Sequence, residues 1–259
     1  MPTRHGSPMR LLSLASVLLL SCAHTPRPAP SSLLEAVVSA SDRSEADRAL
    51  DPGRKPLDFL AFSTVGEGMH VAELMAGGGY TTELLARVVG EKGVVYGENP
   101  KFVLEKFAEA PWTARVAKLP NVKRLDRELD DPFPQELAGT LDVVVSNAIY
   151  HDSVWLQADR QKMNRAVYRA LKYGGRYVVC DSSAAKGRGV EDAQTLHRIE
   201  ENVVGLEATL AGFKLEATGD FLRNAADTRD WNASPVAAGA QRGTSDRFCL
   251  RFVKPVVIY

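Results

Sequence analysis

The sequence predicts an α/β protein: a doubly wound, mostly parallel seven-stranded sheet that closes with a C-terminal antiparallel hairpin. Three observations carry this. From residue 69 to residue 181, short apolar runs alternate with segments of helical spacing, the pattern of successive β-α units. The last two apolar runs, Phe213 to Leu222 and Arg247 to Val257, have no helical segment between them, so they are expected to pair antiparallel. A glycine cluster, Gly77, Gly78 and Gly79, sits at the joint between the first strand and the first crossover helix. Open α/β sheets bind ligands at such joints.

The strands are expected at Met69–Met75, Gly93–Glu98, Asn121–Leu125, Leu141–Asn147 and Arg176–Asp181, followed by the final pair. Leu141–Asn147 is apolar enough to be buried on both faces. Helices are expected over Thr81–Val89, which Gly90 stops, over Lys101–Glu109, and over Leu156–Lys172, closed by Gly174-Gly175. Thr195–Ala211 carries Leu196, Ile199, Val203, Leu206 and Leu210 on one stripe and reads as the clearest amphipathic helix. Ahead of the sheet, Leu33–Leu50 has helical character and Asp51-Pro52-Gly53 is expected to stop it. Arg223–Thr244 is a long stretch without pattern, a possible substrate lid in which Trp231 marks a docking contact.

The N-terminus stands apart. Arg4 and Arg10 precede an apolar run, Leu11 to Leu20. A run of that length rises about 15 Å as a helix, about half the hydrocarbon core of a bilayer. It reads as a signal-peptide core and not as a spanning segment. The run ends Leu19-Leu20-Ser21-Cys22, which resembles the lipobox of bacterial lipoproteins, where the cysteine is acylated and becomes the mature N-terminus. Plain signal-peptidase cleavage is the alternative. The expected organisation is a signal peptide over 1–22, a proline-rich tether over 23–32, and one domain with an N-terminal helical extension over 33–259. The expected location is the bacterial cell envelope, periplasmic side, with membrane contact only through the lipid anchor.

Composition narrows the partners. Lys plus Arg and Asp plus Glu each number 32 in 259 residues, so the totals carry no electrostatic footprint for nucleic acid. A small-molecule substrate is expected, and nothing in the sequence indicates an oligomeric state. There are three cysteines; Cys180 and Cys249 fall inside apparent strands and are expected as buried free thiols. With no C-x-x-C and no H-x-x-x-H spacing, no metal site is expected.

The informative stretch is residues 71–86, VAELMAGGGYTTELLA. Glycines at this joint let the chain turn sharply and let a ligand lie against bare backbone. Glu98 ends the second strand, where a carboxylate can accept hydrogen bonds from ribose hydroxyls. A dinucleotide fingerprint wants a third glycine, yet Gly77-x-Gly79 is followed by Tyr80, Thr81 and Thr82. No P-loop lysine stands by to hold phosphates. A nucleoside cofactor without phosphate, S-adenosylmethionine, fits better.

These residues resemble class I S-adenosylmethionine-dependent methyltransferases, a Rossmann-like fold. Glu73-Leu74-Met75-Ala76-Gly77-Gly78-Gly79 looks like the first motif of that family, with Glu73 at its acidic start and Gly77 and Gly79 at its later glycines. Met75 departs from it, standing where the family usually has its first glycine. Glu98 matches the acidic residue of the second motif. In residues 120–133, Glu128 or Asp126 could face the adenine amino group. LKYGGRYVVCD (171–181) resembles the turn and fifth strand, with Tyr173 in place of the usual proline. Together with AIYHD (148–152), TLHRIE (195–200) and the final strands, the resemblance extends to a bacterial family of predicted methyltransferases and covers roughly residues 44–255. It implies S-adenosyl-L-methionine as cofactor, held by Glu73, Gly77, Gly79, Glu98, Glu128 and Asn147.

Methyl transfer from a sulfonium is an in-line displacement, so the protein chiefly aligns donor and acceptor. A base is needed only when the acceptor atom must lose a proton. Asn147 ends the fourth strand on the acceptor side of the cofactor, and Tyr150, His151 and Asp152 follow it. His151 could be that base, oriented by Asp152 or another carboxylate, and Tyr150 could face the cationic methyl group. The plainer alternative has His151 capping a loop and Tyr150 packing on the next helix. Asp181 ends the fifth strand and is placed in the same cleft. His197 and Arg198 either close over the substrate or form salt links. Two other readings compete: a non-catalytic binding protein, favoured by Met75 and by export away from the cytoplasmic donor, and a nicotinamide-dependent oxidoreductase.

Overall fold

The computed structural model describes residue 1 and residues 28–256. All but the first residue of the expected signal peptide, the expected acylation site at Cys22 and the first half of the tether therefore lie outside the described residues, as does the end of the last expected strand. One seven-stranded sheet runs through the domain, in the order β3-β2-β1-β4-β5-β7-β6. The strands are β1 His70–Leu74, β2 Val94–Glu98, β3 Val122–Leu125, β4 Leu141–Asn147, β5 Leu171–Ser182, β6 Lys214–Gly219 and β7 Arg247–Val253. β1 to β5 pair in parallel, whereas β7 inserts antiparallel between β5 and β6. The chain order reverses between β1 and β4, which makes the C-terminal ends of these two strands the switch point where ligands bind.

Before the sheet come four short helices, α1 Ser31–Val38, α2 Glu45–Arg48, α3 Asp51–Arg54 and α4 Pro56–Ser63. The single helix expected over 33–50 is thus broken, and Asp51-Pro52-Gly53 lies inside α3 instead of ending a helix. Proline suits a first helical turn because its missing N–H has no partner there anyway. The tether's last residues join the fold: the Ala29 amide donates to the Val65 carbonyl at 3.0 Å. The crossover helices are α5 Tyr80–Val89, then α6 Lys101–Val103 and α7 Glu109–Val116 joined by a π turn over Leu104–Ala108. The helix expected over 156–172 is instead α8 Tyr150–Trp155 and α9 Arg160–Ala170, separated by a turn at Gln157 with φ of 56°.

The sheet divides the core in two. α1, α4, α5 and α7 pack on one face around Leu60, Leu85, Val88 and Trp112. α9 and α10 (Glu201–Leu210) cover the other around Tyr177, Val167, Phe213 and Phe252. α10 corrects the expected amphipathic stripe. It begins six residues late and buries Val204 and Ala208, while Leu206 and Leu210 are exposed. The expected stripe fails because His197 adopts φ of 51° and Ile199 is taken by a parallel bridge to Ser183, so residues 195–200 never enter the helix.

The cysteines also depart from expectation. Cys180 and Cys249 are directly opposite in the β5–β7 register and form a disulfide, with Cα atoms 4.1 Å apart. Two buried cysteines facing each other across a ladder lie within bridging distance. Free thiols were the expectation because the register that brings them together follows from β7 inserting beside β5.

Candidate active site

The glycine loop joins β1 to α5. The Gly77 amide donates to Asn99 Oδ1 at 2.7 Å, and Asn99 Nδ2 returns a bond to the Gly77 carbonyl at 3.2 Å. The Ala76 amide donates to the Glu98 carbonyl at 2.8 Å. β1 and β2 therefore hold the loop open between their ends. The two site glycines differ in what they do. A Cβ on Gly77 would meet nothing within 4 Å, so its backbone faces open space. A Cβ on Gly79 would lie 2.7 Å from Trp112 and Arg115, so Gly79 is there for packing. Both take positive φ, 57° and 81°, which glycine adopts without strain.

Glu98 is fully buried. Its Oε2 accepts the Met75 amide at 3.0 Å, and its Oε1 has no partner among the described residues. Burial pushes its carboxyl well above the usual carboxylate range, against the pull of the Met75 N–H. A buried, half-satisfied acid at the lip of an open glycine loop is what a ribose diol would complete. Glu73 plays another part. It too is buried, and its carboxylate accepts the hydroxyl of Thr82 on the first turn of α5. Burial raises it to about 7, against the Thr82 and Thr81 hydroxyls. Glu73 thus braces the loop from behind.

Met75 sits in the loop with φ of 47°. A branched-free side chain tolerates the left-handed region at a cost that glycine avoids. The departure noted in the sequence is therefore a real one: this backbone position has the conformation that glycine favours. The Met75 side chain packs between the two cores.

Beyond β2 and β3, Glu128 lies beside a small cavity lined by Pro100, Leu129, Leu156 and Gln157. Its Oε1 accepts the Lys101 amide at 3.3 Å. Asp126, the alternative, is bound to Arg124 Nε at 2.6 Å. Asn147 reaches across to Thr81, donating to its hydroxyl at 3.3 Å, and so borders the loop.

On the acceptor side the sequence brought together three residues, and the structure separates one. Tyr150 is fully buried, with its hydroxyl donating to Glu207 at 2.7 Å and accepting from Asn164 at 2.7 Å. It points into the α9–α10 core and cannot face a methyl group. His151 and Asp181 do meet. Asp181 accepts from the His151 backbone amide at 2.8 Å and from its Nδ1 at 2.7 Å. Asp152 Oδ1 lies 3.2 Å from His151 Nε2, and His197 Nδ1 lies 3.2 Å from the same atom. Burial would lower the His151 pKa, but Asp181 and Asp152 outweigh it and raise it to about 10. Asp152, despite its burial, is held down to about 2 by His151 and His197. With a carboxylate on each ring nitrogen, the free His151 side chain is held toward its protonated form.

Several contributors carried no sequence signal. Asn99 follows Glu98 with no motif of its own. Arg54 stacks over the Tyr80 ring at 4.3 Å, makes no ion pair among the described residues, and is lowered by burial. Arg247 is lowered by burial to about 10; its guanidinium donates to the Gly53 carbonyl, and its Nε has no partner among the described residues. His197 arrives from the turn before α10, fixed by Arg198, which is fully buried, pairs with Asp227 at 2.8 Å and carries Trp231 at 4.7 Å. The segment 223–244 is therefore docked through Asp227 and Trp231. Asp246 pairs with Arg229 at 2.7 Å and with Arg223 at 3.4 Å.

Comparison with solved structures places this architecture. A SAM dependent methyltransferase from Aquifex aeolicus superimposes with a TM-score of 0.57 over 87% of this chain and 98% of its own, at 19% identity. The chain has the class I methyltransferase fold. CrArsM, an arsenic (III) S-adenosylmethionine methyltransferase from Chlamydomonas reinhardtii, matches with a TM-score of 0.53 over 89% of this chain and 75% of its own, at 18% identity. The [4+2]-cyclase SpnF matches with a TM-score of 0.55 over 82% of both chains, at 16% identity. Among curated sequences, the arsenite methyltransferase of Rattus norvegicus is 29% identical over 124 residues, 46% of this chain. The mouse protein of the same name is 28% identical over the same length. The chain spans 32% of the length of these relatives. No family model matches the chain.

Proposed function

We propose that this protein is an S-adenosylmethionine-dependent methyltransferase acting on a small-molecule acceptor. The observation that carries the reading is the unfinished cradle at the β1 and β2 ends. Glu98 Oε1 is buried without a partner, and Gly77 turns bare backbone to open space beside it. The match to methyltransferase folds and the curated relatives support the same reading.

The chain's residues fit the cofactor part by part. Glu98 accepts the ribose hydroxyls. Glu128 and Leu129 border the adenine position. Arg54 and Arg247, cations lowered by burial and short of partners, suit the carboxylate of the methionine moiety. S-adenosylmethionine supplies an activated methyl on a sulfonium. Asn147 and the His151–Asp152–His197 cluster then bound the side from which an acceptor approaches, and alignment supplies most of the rate.

The curated relatives' arsenic acceptor does not transfer readily. Soft arsenic favours thiolate ligands, and two of this chain's three cysteines are tied to each other. Export and lipid anchoring through Cys22 remain part of the proposal. A disulfide between Cys180 and Cys249 supports them, because such bonds persist in oxidising compartments.

The test is His151→Ala, once an acceptor has been found by screening phenols, thiols and carboxylates. Cofactor affinity should stay within about threefold while turnover falls roughly 100-fold, because the acceptor loses its alignment. Loss of cofactor binding would make His151 structural. Full turnover would remove the cluster from the acceptor site.

A further inference from the structure

Three side chains able to ligate a metal converge beside the cleft. His151 Nε2, Asp152 Oδ1 and His197 Nδ1 form a triangle with edges of 3.2, 3.2 and 3.6 Å. We propose that His151, Asp152 and His197 form a binding site for a divalent transition-metal ion of the zinc class, with one coordination position left to the acceptor.

Geometry carries the assignment. Bonds of about 2.0–2.2 Å from imidazole nitrogen or carboxylate oxygen to zinc give tetrahedral edges of roughly 3.3–3.6 Å. The observed triangle has that size. It is also the two-histidine, one-carboxylate set found where a metal keeps open positions.

The surroundings orient the ligands as a metal site requires. Asp181 accepts from His151 Nδ1 at 2.7 Å, which turns Nε2 toward the triangle. A carboxylate on the far nitrogen of a ligating histidine fixes its tautomer and ring orientation. Asp181 is itself fully buried and anchored on the amides of His151 and Ser182, at 2.8 and 2.7 Å. His197 is held in place by strained backbone: φ is 51° for a non-glycine residue, between Leu196, whose carbonyl accepts the Ala233 amide, and the buried Arg198. Such strain persists where the surroundings enforce it, often at functional sites. Two ring nitrogens 3.2 Å apart share at most one proton, whereas both can donate to one cation.

The outer side of the triangle is reachable. His197 and Asp152 side chains keep 28% and 20% of their surface, against 7% for His151. An anionic oxygen or sulfur of the acceptor could take the remaining position, and the ion would stabilise its deprotonated form. This use rests on the methyl-transfer reading; the ion site does not. The missing H-x-x-x-H spacing did not exclude it, because the third ligand arrives 45 residues after Asp152, from the turn ahead of α10.

The experiment titrates the untagged, chelator-stripped full chain with Zn²⁺ against a chromophoric competitor, and with Co²⁺ by visible absorption. The expected result is one equivalent of each, with the strong absorption of low-coordinate Co²⁺. His197→Ala and Asp152→Ala should weaken binding at least 100-fold, and Asp181→Asn about 10- to 100-fold, with thermal melts confirming that each variant is folded. Zn²⁺ binding no tighter in the wild type than in folded His197→Ala would overturn the site and leave a hydrogen-bonded network. S-adenosylhomocysteine calorimetry runs in parallel. Cofactor binding without metal sinks this inference alone; metal binding without cofactor supports it and sinks the methyltransferase reading.

Discussion

Replacing both Cys180 and Cys249 by Ala tests the central sheet and the compartment together. The bridge closes a loop of 69 residues between β5 and β7. The chain-entropy relation for a loop of that length gives about 4 kcal/mol of stabilisation through the unfolded state. In a domain of this size each kcal/mol moves the melting midpoint by about 2–4 °C. The double variant should therefore melt about 8–16 °C below the oxidised wild type. Both cysteines are buried, so some of the loss would come from the missing sulfurs. Reduced wild type, which keeps them, separates the two effects: it should show most of the drop, and the double variant should ignore reductant. Calorimetric melts with and without dithiothreitol read this directly, and mass mapping of an unreduced digest identifies the bridge. A wild-type melt unmoved by reductant, with both thiols free in the digest, would refute the pairing and remove its support for export.

Gly77→Ala and Gly79→Ala should fail in different ways. The first puts a methyl toward open space, so it should weaken S-adenosylhomocysteine binding and cost only the positive-φ strain, about 1 kcal/mol; the second adds to that strain a collision with Trp112 at 2.7 Å and should lower stability further, as denaturant melts would reveal. Glu98→Ala should weaken S-adenosylhomocysteine binding by about 1–3 kcal/mol in calorimetry, because buried ribose donors lose their acceptor. Glu73 is raised to about 7 in the folded state, so the native protein binds the extra proton between its unfolded value of 4.5 and 7. Stability should be greatest below that window and fall as pH rises through it, and Glu73→Gln should flatten the curve in urea melts at several pH values. Labelling cells with a palmitate analogue should tag the wild type and not Cys22→Ser; an unlabelled, soluble cytoplasmic wild type would end the export reading.

Much of the fold was legible because local pattern and topology agree. The five parallel strands fell where apolar runs predicted, and the absence of a crossover helix foretold the antiparallel ending. The glycine loop and Glu98 were legible because turn chemistry and strand-end position are local. What escaped depends on contacts made in space. The Cys180–Cys249 bridge follows from β7 entering between β5 and β6. Tyr150 was read toward the cleft because it follows β4, yet α8 starts at Tyr150 itself and turns the ring to Glu207. Arg54 and His197 lie far from any motif: the N-terminal helices bring the first onto the Tyr80 ring, and the turn before α10 brings the second to His151. Helix boundaries failed where a residue adopts positive φ, at Gln157 and His197, which no periodicity records.

Whether the Glu98–Gly77 cradle holds S-adenosylmethionine is read by isothermal calorimetry of the purified chain with S-adenosylmethionine, S-adenosylhomocysteine and NAD. One site is expected for each of the first two, weakened in Glu98→Ala, and no binding of NAD. Binding of NAD alone, or of none of the three by a folded protein, would contradict it.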